Sequence, residues 1–309
     1  MKRVIFGTCA LLLTFTVRAQ DTLPKVVSGS LERIENFRSR YVTERNVDIW
    51  LPEGYSQKEK YAVLYMHDGQ MLYDPEMAWN KQAWNVDDVA TELFHTNTIK
   101  KFIVVGVWNG GETRHPDYFP QKPFEGLSTI EKDTVNAQLK HSHVSLNESF
   151  QPQSDNYLKF LVKELKPYID HNYSVYSDAE NTCIMGSSME GLISMYAICE
   201  YPEVFGAAAC LSTHWPGTFT LDNNPIPDAF IRYLDEHLPD PENNKIYFDC
   251  GDQTLDSMYP AIQRKVDQVM EEKGYDRLNW VTDFFPGANH SEDAWSKRLD
   301  TPLSFLFGK

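Results

Sequence analysis

Residues 181–201 (NTCIMGSSMEGLISMYAICEY) place a serine at an abrupt change of sequence periodicity. The segment begins as a short apolar, strand-like run, turns at residues 186–189, and continues with apolar side chains at helical spacing. A tight strand-to-helix turn holds a serine hydroxyl clear of the sheet. The helix N-terminus and the next backbone N–H then favour negative charge beside it. Ser188 is therefore the candidate nucleophile, and we refer to residues 186–191 as the elbow.

The elbow departs from the usual G-x-S-x-G pattern at its fifth position. Glu190 stands there, and glycine follows one residue later at Gly191. Three interpretations are open. The Glu190 carboxylate could turn to solvent, it could contact a cationic or hydroxyl-rich substrate, or it could strain the elbow and abolish activity. Because an unpartnered carboxylate is costly to bury, the last two interpretations require a partner or a defect.

The remainder of the chain alternates predicted strands with predicted helices. Runs such as YAVLYM (61–66) and FIVVGV (102–107) are continuously apolar, which is typical of strands buried on both faces. The alternation indicates βαβ units and a doubly wound, mostly parallel sheet with helices on both faces. Besides the elbow segment, the predicted strands cover residues 42–51, 61–66, 102–107, 207–211, 245–250 and 279–285, and the predicted helices cover residues 86–94, 155–169, 228–237, 259–273 and 292–307.

The periodicity fails between residues 108 and 154, a segment that we call the insert. It contains repeated glycines and prolines, followed by a polar section near residues 140–150. A loop of this length in a compact domain is either functional or disordered. Its aromatic residues would suit a lid or a cleft wall, and the alternative is an ordered surface excursion that packs its own rings. We predict a single domain over residues 20–309, since no linker or repeat divides it.

Residues 1–19 have the features of a signal peptide. Lys2 and Arg3 precede an apolar run over residues 4–17, and residues 17–19 form an acceptable cleavage site. The run is too short to span a bilayer comfortably. We therefore predict a mature chain that begins at Gln20, a secreted or periplasmic location and no stable membrane insertion.

The net charge and the cysteine spacing of the chain indicate which partners and bound groups to expect. The formal net charge is −15 and no Lys/Arg cluster is present, which argues against a nucleic-acid partner. An oxidising compartment permits disulfides, but most of the cysteines after the leader lie in apolar runs, where a free thiol acts as a small buried hydrophobe. Their spacing is not that of a metal site, and we expect neither metal nor cofactor. These residues are Cys183, Cys199, Cys210 and Cys250.

Nucleophilic serine catalysis needs a base to accept the hydroxyl proton and an acid to orient that base. On a doubly wound sheet, these groups should lie in loops at the carboxyl ends of later strands. One such loop contains Asp252 and Asp256, and the loop after the last predicted strand contains His290. Ser188, then either aspartate, then His290 follow the chain order of α/β-hydrolases.

An oxyanion hole requires a second backbone N–H besides that of Met189, usually from the loop after an early central strand. Gly69 and Gln70 lie in such a loop, and a glycine lets the backbone approach a substrate closely. The Gln70 N–H is the candidate. We expect the preceding His67 and Asp68 to shape the loop through hydrogen bonds.

With these residues assembled, the chain resembles the putative esterase family of α/β-hydrolases. That family includes feruloyl and acetyl-xylan esterases, enterochelin esterases, esterase D and the antigen 85 proteins. The resemblance covers nearly all of the mature chain, and the elbow and the HDGQ segment are its most specific parts. It is carried by LYMHDGQMLYDP (64–75), FIVVGVWNG (102–110), FLVKELKPYID (160–170), GSSMEGLISMYA (186–197), YPEVFGAAACLS (201–212) and GANHSEDAW (287–295).

The resemblance implies an α/β-hydrolase fold and a role for each candidate residue. It makes Ser188 the nucleophile and His290 the general base, with the amides of Met189 and Gln70 as the oxyanion hole. It favours Asp256 over Asp252 as the acid, because the LDSMY segment looks like relatives that keep the aspartate after leucine.

The leading hypothesis is a secreted serine carboxylic-ester hydrolase that works through an acyl-enzyme without a cofactor. The resemblance suggests a small-molecule or glycan ester as substrate, with a feruloyl or acetyl group on carbohydrate. Trp108, Trp215 and Tyr118 fall near strand ends, where they could stack on a sugar or an aromatic acyl group or could pack in the core or at its rim. The alternatives are a siderophore lactone esterase, which would need cationic side chains in the cleft, and a catalytically impaired ligand-binding homologue that results from Glu190.

Overall fold

The computed structural model describes residues 22–141 and 149–309, so the predicted signal peptide lies outside the described residues. Within them, the chain forms one sheet whose strands are β1 (Ser30–Phe37), β2 (Arg45–Leu51), β3 (Ala62–His67), β4 (Phe102–Val107), β5 (Thr182–Ser187), β6 (Ala207–Leu211), β7 (Lys245–Cys250) and β8 (Trp280–Phe284). Their order across the sheet is β1-β2-β4-β3-β5-β6-β7-β8.

Most of this sheet is parallel. The strands from β4 through β3, β5, β6 and β7 to β8 pair in parallel, whereas β2 is antiparallel to both β1 and β4. Every residue of β3, β4 and β5 is buried, as their continuous apolar runs predict. The predicted mostly parallel sheet of an α/β-hydrolase is confirmed.

Helices cover both faces of the sheet. They are α1 (Val86–Thr96), α2 (Arg114–Tyr118), α3 (Gln121–Glu125), α4 (Thr129–His141), α5 (Ser154–Phe160), α6 (Lys166–Asn172), α7 (Met189–Glu200), α8 (Ile226–His237), α9 (Pro260–Glu272), α10 (Glu292–Ser296) and α11 (Asp300–Phe307). Side chains alternate along each strand between two cores. Val63 and Tyr65 of β3 face the core covered by α2 to α9, and Leu64 and Met66 face the core covered by α1, α10 and α11.

Strand β1 was not predicted from the sequence. It lies at the edge of the sheet, pairs only with β2 among the described strands, and keeps much of its length exposed. An exposed edge strand needs few apolar residues, so its sequence, SLERIENF, lacks a strong period-two pattern. The missing signal is a consequence of the strand's position.

The prediction that the insert lacks regular structure was wrong, because residues 111–141 form a short 3₁₀ turn followed by α2, α3 and α4. Pro116 and Pro123 lie in the first turns of α2 and α3, where a proline needs no N–H partner. The aromatic rings of the insert form a buried cluster in which Phe119 contacts Phe124 and Phe150 edge-on. This arrangement matches the alternative of an ordered excursion that packs its own rings.

A buried ion pair fixes the insert to the sheet. Arg45 of β2 donates to Asp117 of α2 at 3.0 Å, and both side chains are at most 2% exposed. Asp117 also accepts a hydrogen bond from the Thr113 hydroxyl at 2.9 Å. Burial raises the pKa of Asp117 and the Arg45 guanidinium opposes that rise. The charge of Asp117 therefore depends on Arg45, and Arg45 has its counter-ion in the insert.

Asp117→Ala is expected to lower the free energy of unfolding by about 3–5 kcal/mol, because it leaves the Arg45 guanidinium buried without a counter-charge. Urea unfolding would measure the loss. Arg40→Ala is the matched control, since it removes an ion pair with Glu164 in which the Arg40 side chain is 86% exposed. Equal losses in the two variants would contradict an anchoring role for the buried pair.

Candidate active site

The carboxyl ends of the parallel strands bring the predicted site residues to one edge of the sheet. The loop after β3 holds Asp68 and Gln70, and the neighbouring strand β5 leads directly into Ser188. The loops after β7 and β8 hold Asp256 and His290. Residues that are far apart in sequence are thus collected along a single edge, as expected for a doubly wound sheet.

Ser188 lies in a strained turn between β5 and α7. Its φ is 59° and its ψ is −121°, a conformation that non-glycine residues rarely adopt. The Ser188 N–H donates to the Leu211 carbonyl at 2.9 Å, and the His214 N–H donates to the Ser188 carbonyl at 3.1 Å. Helix α7 begins at Met189, so the Met189 N–H has no acceptor within its own helix. This N–H lies at the start of the helix, directly after Ser188 in the chain, which makes it a candidate oxyanion donor.

Close backbone approach explains the displaced glycine of the elbow. A Cβ at Gly191 would lie 3.0 Å from Thr213 Oγ1 and 3.2 Å from the Leu211 carbonyl oxygen, so glycine lets α7 pack on the end of β6. Position 190 can hold a side chain because its neighbour Gly186 has none. A Cβ at Gly186 would lie 2.3 Å from the Glu190 Cβ. Glu190 fits because Gly186 has no side chain.

The Glu190 carboxylate points into the protein, so the interpretation that turns it to solvent is wrong. The side chain is 7% exposed, and its Oε1 accepts a hydrogen bond from Arg114 Nη2 at 3.3 Å. Its Oε2 accepts a longer hydrogen bond, of 3.4 Å, from the Ser187 N–H. Burial raises the pKa of Glu190 well above its usual value, the Asp68 carboxylate raises it further, and Arg114 opposes both effects. The buried carboxyl group therefore has the partner that its burial requires.

Asp256 and His290 form a close pair. The His290 Nδ1 lies 2.6 Å from Asp256 Oδ1, and the Asp256 side chain is fully buried. Asp256 Oδ2 accepts hydrogen bonds from the Ser212 hydroxyl at 2.6 Å and from the Gly251 N–H at 2.7 Å. Asp252 instead accepts from the Gly287 N–H at 2.8 Å and makes no contact with the imidazole. The geometry joins His290 to Asp256, which the resemblance favours.

A buried network behind Asp256 was missed by the sequence analysis. Ser212 donates to Asp256 and accepts from the Trp295 indole N–H and from Arg298, each at 3.0 Å. Arg298 also forms a two-bond ion pair with Asp249, at 2.7 and 3.0 Å. The helix predicted over residues 292–307 is interrupted between α10 and α11, and Arg298 lies in that interruption. Its contacts therefore come from a break that no local sequence signal indicated.

Tyr259 lies between His214 and the ring of His290. The buried Tyr259 hydroxyl lies 2.8 Å from His214 Nδ1. Its ring contacts the His290 ring edge-on, with centroids 5.8 Å apart. Within the described residues, no hydrogen bond joins the Ser188 hydroxyl directly to the His290 imidazole. Catalytic hydrogen bonds of this kind are often long without substrate and tighten in the complex.

The loop after β3 contributes the second candidate amide. Gln70 lies in a 3₁₀ turn (Gly69–Met71), at whose start its N–H has no acceptor in the turn. A Cβ at Gly69 would lie 2.5 Å from the Gly106 carbonyl, so only glycine allows this approach to β4. His67 is buried against the Tyr157 hydroxyl at 2.7 Å, and burial lowers its pKa to about 3. His67 is therefore neutral, in keeping with the expected structural role.

The three aromatic residues considered for substrate binding have different positions. Trp215 is fully buried and its indole N–H donates to Gln263. Tyr118 is also fully buried, and its hydroxyl donates to Asp68. Trp108 is only partly buried, but Arg33 covers one ring face, with its Cζ 4.6 Å from the centroid. Neither Trp215 nor Tyr118 presents a ring to the surface, so their predicted stacking role receives no support from this geometry.

No metal site occurs among residues 22–141 and 149–309, where no group of three or more His, Cys, Asp or Glu side chains is arranged to hold an ion. The polar groups at this edge of the sheet contact one another. This arrangement can perform two kinds of chemistry. The imidazole–carboxylate pair can transfer the proton of the serine hydroxyl, and the two backbone amides can stabilise an anion.

Comparison with known proteins matches the chain to a family of esterases. A family model described as "Putative esterase" matches residues 39–306. A protein of Bacillus subtilis named YbbA is 22% identical over 86% of this chain and 93% of its own length. An endo-1,4-beta-xylanase/feruloyl esterase of Xylanibacter ruminicola is 24% identical over 98% of this chain, which spans only 35% of that larger protein.

Solved structures share the fold at low sequence identity. A ferulic acid esterase of Anaeromyces mucronatus, in complex with ferulic acid, has a TM-score of 0.59 at 19% identity and is matched over 92% of its length. The enterobactin esterase FES of Shigella flexneri, in the presence of enterobactin, has a TM-score of 0.61 at 17% identity. The present chain spans 60% of that enterobactin esterase.

Gly186→Ala is expected to destabilise the protein by about 1–3 kcal/mol, because the new Cβ overlaps that of Glu190. Gly186→Ala should cost much less in a Glu190→Gly background than in the unmodified protein, since the overlapping atom is then gone. Thermal or urea unfolding of the single and double variants would measure both effects. Gly126→Ala is the matched control, because a Cβ there meets neighbours at the ordinary distance of 3.6 Å. An equal loss from Gly186→Ala in both backgrounds would contradict the proposed fit.

Proposed function

The chain belongs to the putative esterase family, and we propose that it is a serine carboxylic-ester hydrolase that works through an acyl-enzyme at Ser188. The observation that carries the proposal is the position of Ser188, in a strained turn at the edge of the sheet where Asp256 holds His290. A strained turn exposes the hydroxyl, and a carboxylate on Nδ1 orients the imidazole with Nε2 free to accept a proton.

In this mechanism, His290 Nε2 takes the Ser188 proton as Oγ attacks the ester carbonyl carbon. The carbonyl oxygen becomes an oxyanion, which the amides of Met189 and Gln70 stabilise. The intermediate collapses, His290 gives the proton to the leaving alcohol, and an acyl-serine remains. His290 then removes a proton from a water whose oxygen attacks the acyl carbon. The acyl–Oγ bond breaks, the carboxylic acid leaves, and His290 returns the proton to Ser188 Oγ. Asp256 holds the imidazole by its Nδ1 and stabilises the imidazolium in both halves of the reaction.

Feruloyl or acetyl esters of carbohydrate are the proposed substrates. Two of the similar proteins are named as feruloyl or ferulic acid esterases, and these comparisons support the class. A siderophore lactone is the second candidate, supported by the likeness to an enterobactin esterase. Two cations of the insert weaken this candidate. Arg114 is bonded to Asp68 and Glu190, and Lys122 is paired with Glu200, so neither is left unpaired for an anionic iron chelate.

The third candidate, a silent binding homologue, depended on a defect at Glu190. The carboxylate has a partner in Arg114 and has room beside Gly186, so the residue does not by itself require loss of activity. We therefore favour an active enzyme.

We propose that the protein acts outside the cytoplasm, with residues 1–19 as a signal peptide. In the part of the chain that the structure describes, no helix has the length and apolarity needed to cross a membrane. Cys183, Cys199, Cys210 and Cys250 are buried and unpaired, as expected from their apolar surroundings. Burial raises the pKa of the Cys183 and Cys250 thiols to about 12, so they stay protonated and poorly reactive in an oxidising compartment.

Hydrolysis of short p-nitrophenyl acyl esters by the mature protein tests the proposal. We expect turnover that Ser188→Ala lowers by more than about a thousandfold, because the nucleophile is lost. A fluorophosphonate probe should label the unmodified protein and fail to label the variant. Turnover that survives in a folded Ser188→Ala variant would refute the serine mechanism. Feruloyl sugars, acetyl sugars and a catechol trilactone would then separate the substrate classes.

The choice of acid can be tested with a matched pair of substitutions. Asp256→Asn should lower kcat by about 10⁴-fold, because the amide holds the imidazole in the wrong tautomer. Asp252→Asn should leave kcat within about threefold, because the Asp252 carboxylate caps a backbone N–H and does not touch His290. A large loss in the Asp252 variant, with Asp256→Asn active, would reverse the assignment.

A further inference from the structure

Two buried carboxyl groups lie next to the two candidate oxyanion donors. Glu190 directly follows Met189, whose N–H is one donor, and Asp68 precedes Gln70, whose N–H is the other, by two residues. The side chains of Glu190 and Asp68 are 7% and 8% exposed. The donors themselves belong to separate loops, after β5 and after β3. Each loop thus carries a buried acidic group close to its donor.

One guanidinium from the insert joins these carboxyl groups. Arg114 Nε donates to Asp68 Oδ2 at 2.7 Å, and Arg114 Nη2 donates to Glu190 Oε1 at 3.3 Å. The guanidinium also lies over the Tyr118 ring, with its Cζ 5.3 Å from the centroid. A planar group with donors in a fixed fork sets the angle and separation of what it binds better than a flexible ammonium does.

Asn109 and Tyr118 also hold the loop after β3 through hydrogen bonds. Asn109 Nδ2 donates to Asp68 Oδ1 at 3.1 Å, and the Asn109 N–H donates to the Gln70 side-chain oxygen at 3.3 Å. The Tyr118 hydroxyl donates to Asp68 Oδ1 at 2.9 Å. Asp68 is therefore a fixed point, and a group bonded to both Asp68 and Glu190 fixes the elbow relative to this loop.

We propose that Asp68, Arg114 and Glu190 form a clamp that sets the separation of the Gln70 and Met189 amides and so positions the oxyanion hole. The inference rests on the proposed function, because it assigns those amides to an oxyanion. Donors must lie about 2.7–3.1 Å from the oxyanion, so a small relative movement of two loops weakens one of the bonds. Arg114 and Glu190 are positioning residues that act through the backbone.

The clamp explains why Glu190 stands in place of the last glycine of the G-x-S-x-G pattern. A glycine at position 190 would leave Arg114 bonded to Asp68 alone, and the insert would hold only one of the two loops. Glu190 supplies the second bond, and Gly186 supplies the room for it. A hydrogen-bond acceptor, rather than a negative charge, is what position 190 must provide, since Oε1 accepts from Arg114 whether or not the carboxyl group is protonated.

The test compares Glu190→Gly, Glu190→Gln and Arg114→Gln with the unmodified protein on a p-nitrophenyl ester. Glu190→Gly and Arg114→Gln should each lower kcat by about 10- to 100-fold with KM within about threefold, because only the transition state uses the oxyanion hole. An aryl boronic acid, which forms a tetrahedral adduct at the serine, should bind more weakly by a similar factor. Glu190→Gln keeps the acceptor and should retain most of the activity.

Hydrogen–deuterium exchange tests the clamp without turnover. Exchange over residues 67–72 and 187–192 should quicken about tenfold in Glu190→Gly and in Arg114→Gln. Arg40→Gln is the control, because it removes an ion pair with Glu164 on the surface and should alter neither segment nor kcat. The kcat of the double variant Arg114→Gln/Glu190→Gly should be no lower than that of either single variant, because both substitutions break the same clamp.

The outcomes separate the clamp from the proposed function. If the unmodified protein hydrolyses no ester and binds no boronic acid, the proposed function fails and the exchange data alone decide whether the clamp exists. If the protein is active, a Glu190→Gly variant with unchanged or higher kcat overturns the clamp. Unchanged exchange in both segments overturns it in either case.

Discussion

The site depends on the parallel register of the central strands. Ser187, Leu211, Asp249 and Asp283 lie side by side across β5, β6, β7 and β8, so these strands end within one residue of the same level. The loops that follow them begin near that level, so Ser188, Asp256 and His290 are collected along one edge of the sheet. A slip of one residue in a single strand would turn its side chains to the other face and separate the groups. The backbone pairing of the strands therefore sets the positions of the site residues at this edge of the sheet.

The sequence predicted those parts of the fold that bury apolar residues in a regular pattern. The continuous runs of β3 and β4 and the strand-to-helix turn at Ser188 were identified because burial imposes a pattern on neighbouring residues. Strand β1 and the helices α2 and α3 were not, because an exposed edge strand and five-residue helices need little periodicity. The 13-residue helix α4 was also missed, because it buries only Val135 and Leu139. The chain order of serine, aspartate and histidine gave the candidates, but only three-dimensional contact joins His290 to Asp256 and not to Asp252.

Glu190 shows why local pattern is insufficient at a functional site. The sequence shows a residue that breaks the elbow pattern, and its neighbours do not reveal how a carboxylate could be buried there. The answer comes from Arg114, separated by 76 residues, and from the missing side chain of Gly186. Long-range charge pairing has no periodicity and leaves no trace in either segment. The requirement for a partner followed from the cost of burial, whereas the identity of the partner required the structure.

The four buried thiols have a consequence for the lifetime of the protein. In the native state burial keeps them protonated and out of reach of oxidants, so the folded chain needs no reductant. Unfolding removes this protection from all four thiols together, and in air they can form disulfides that no native contact matches. Refolding then competes with oxidation, and the unfolding rate, more than the equilibrium stability, determines how long the protein survives. Burial of the thiols in the folded protein thus slows their oxidation.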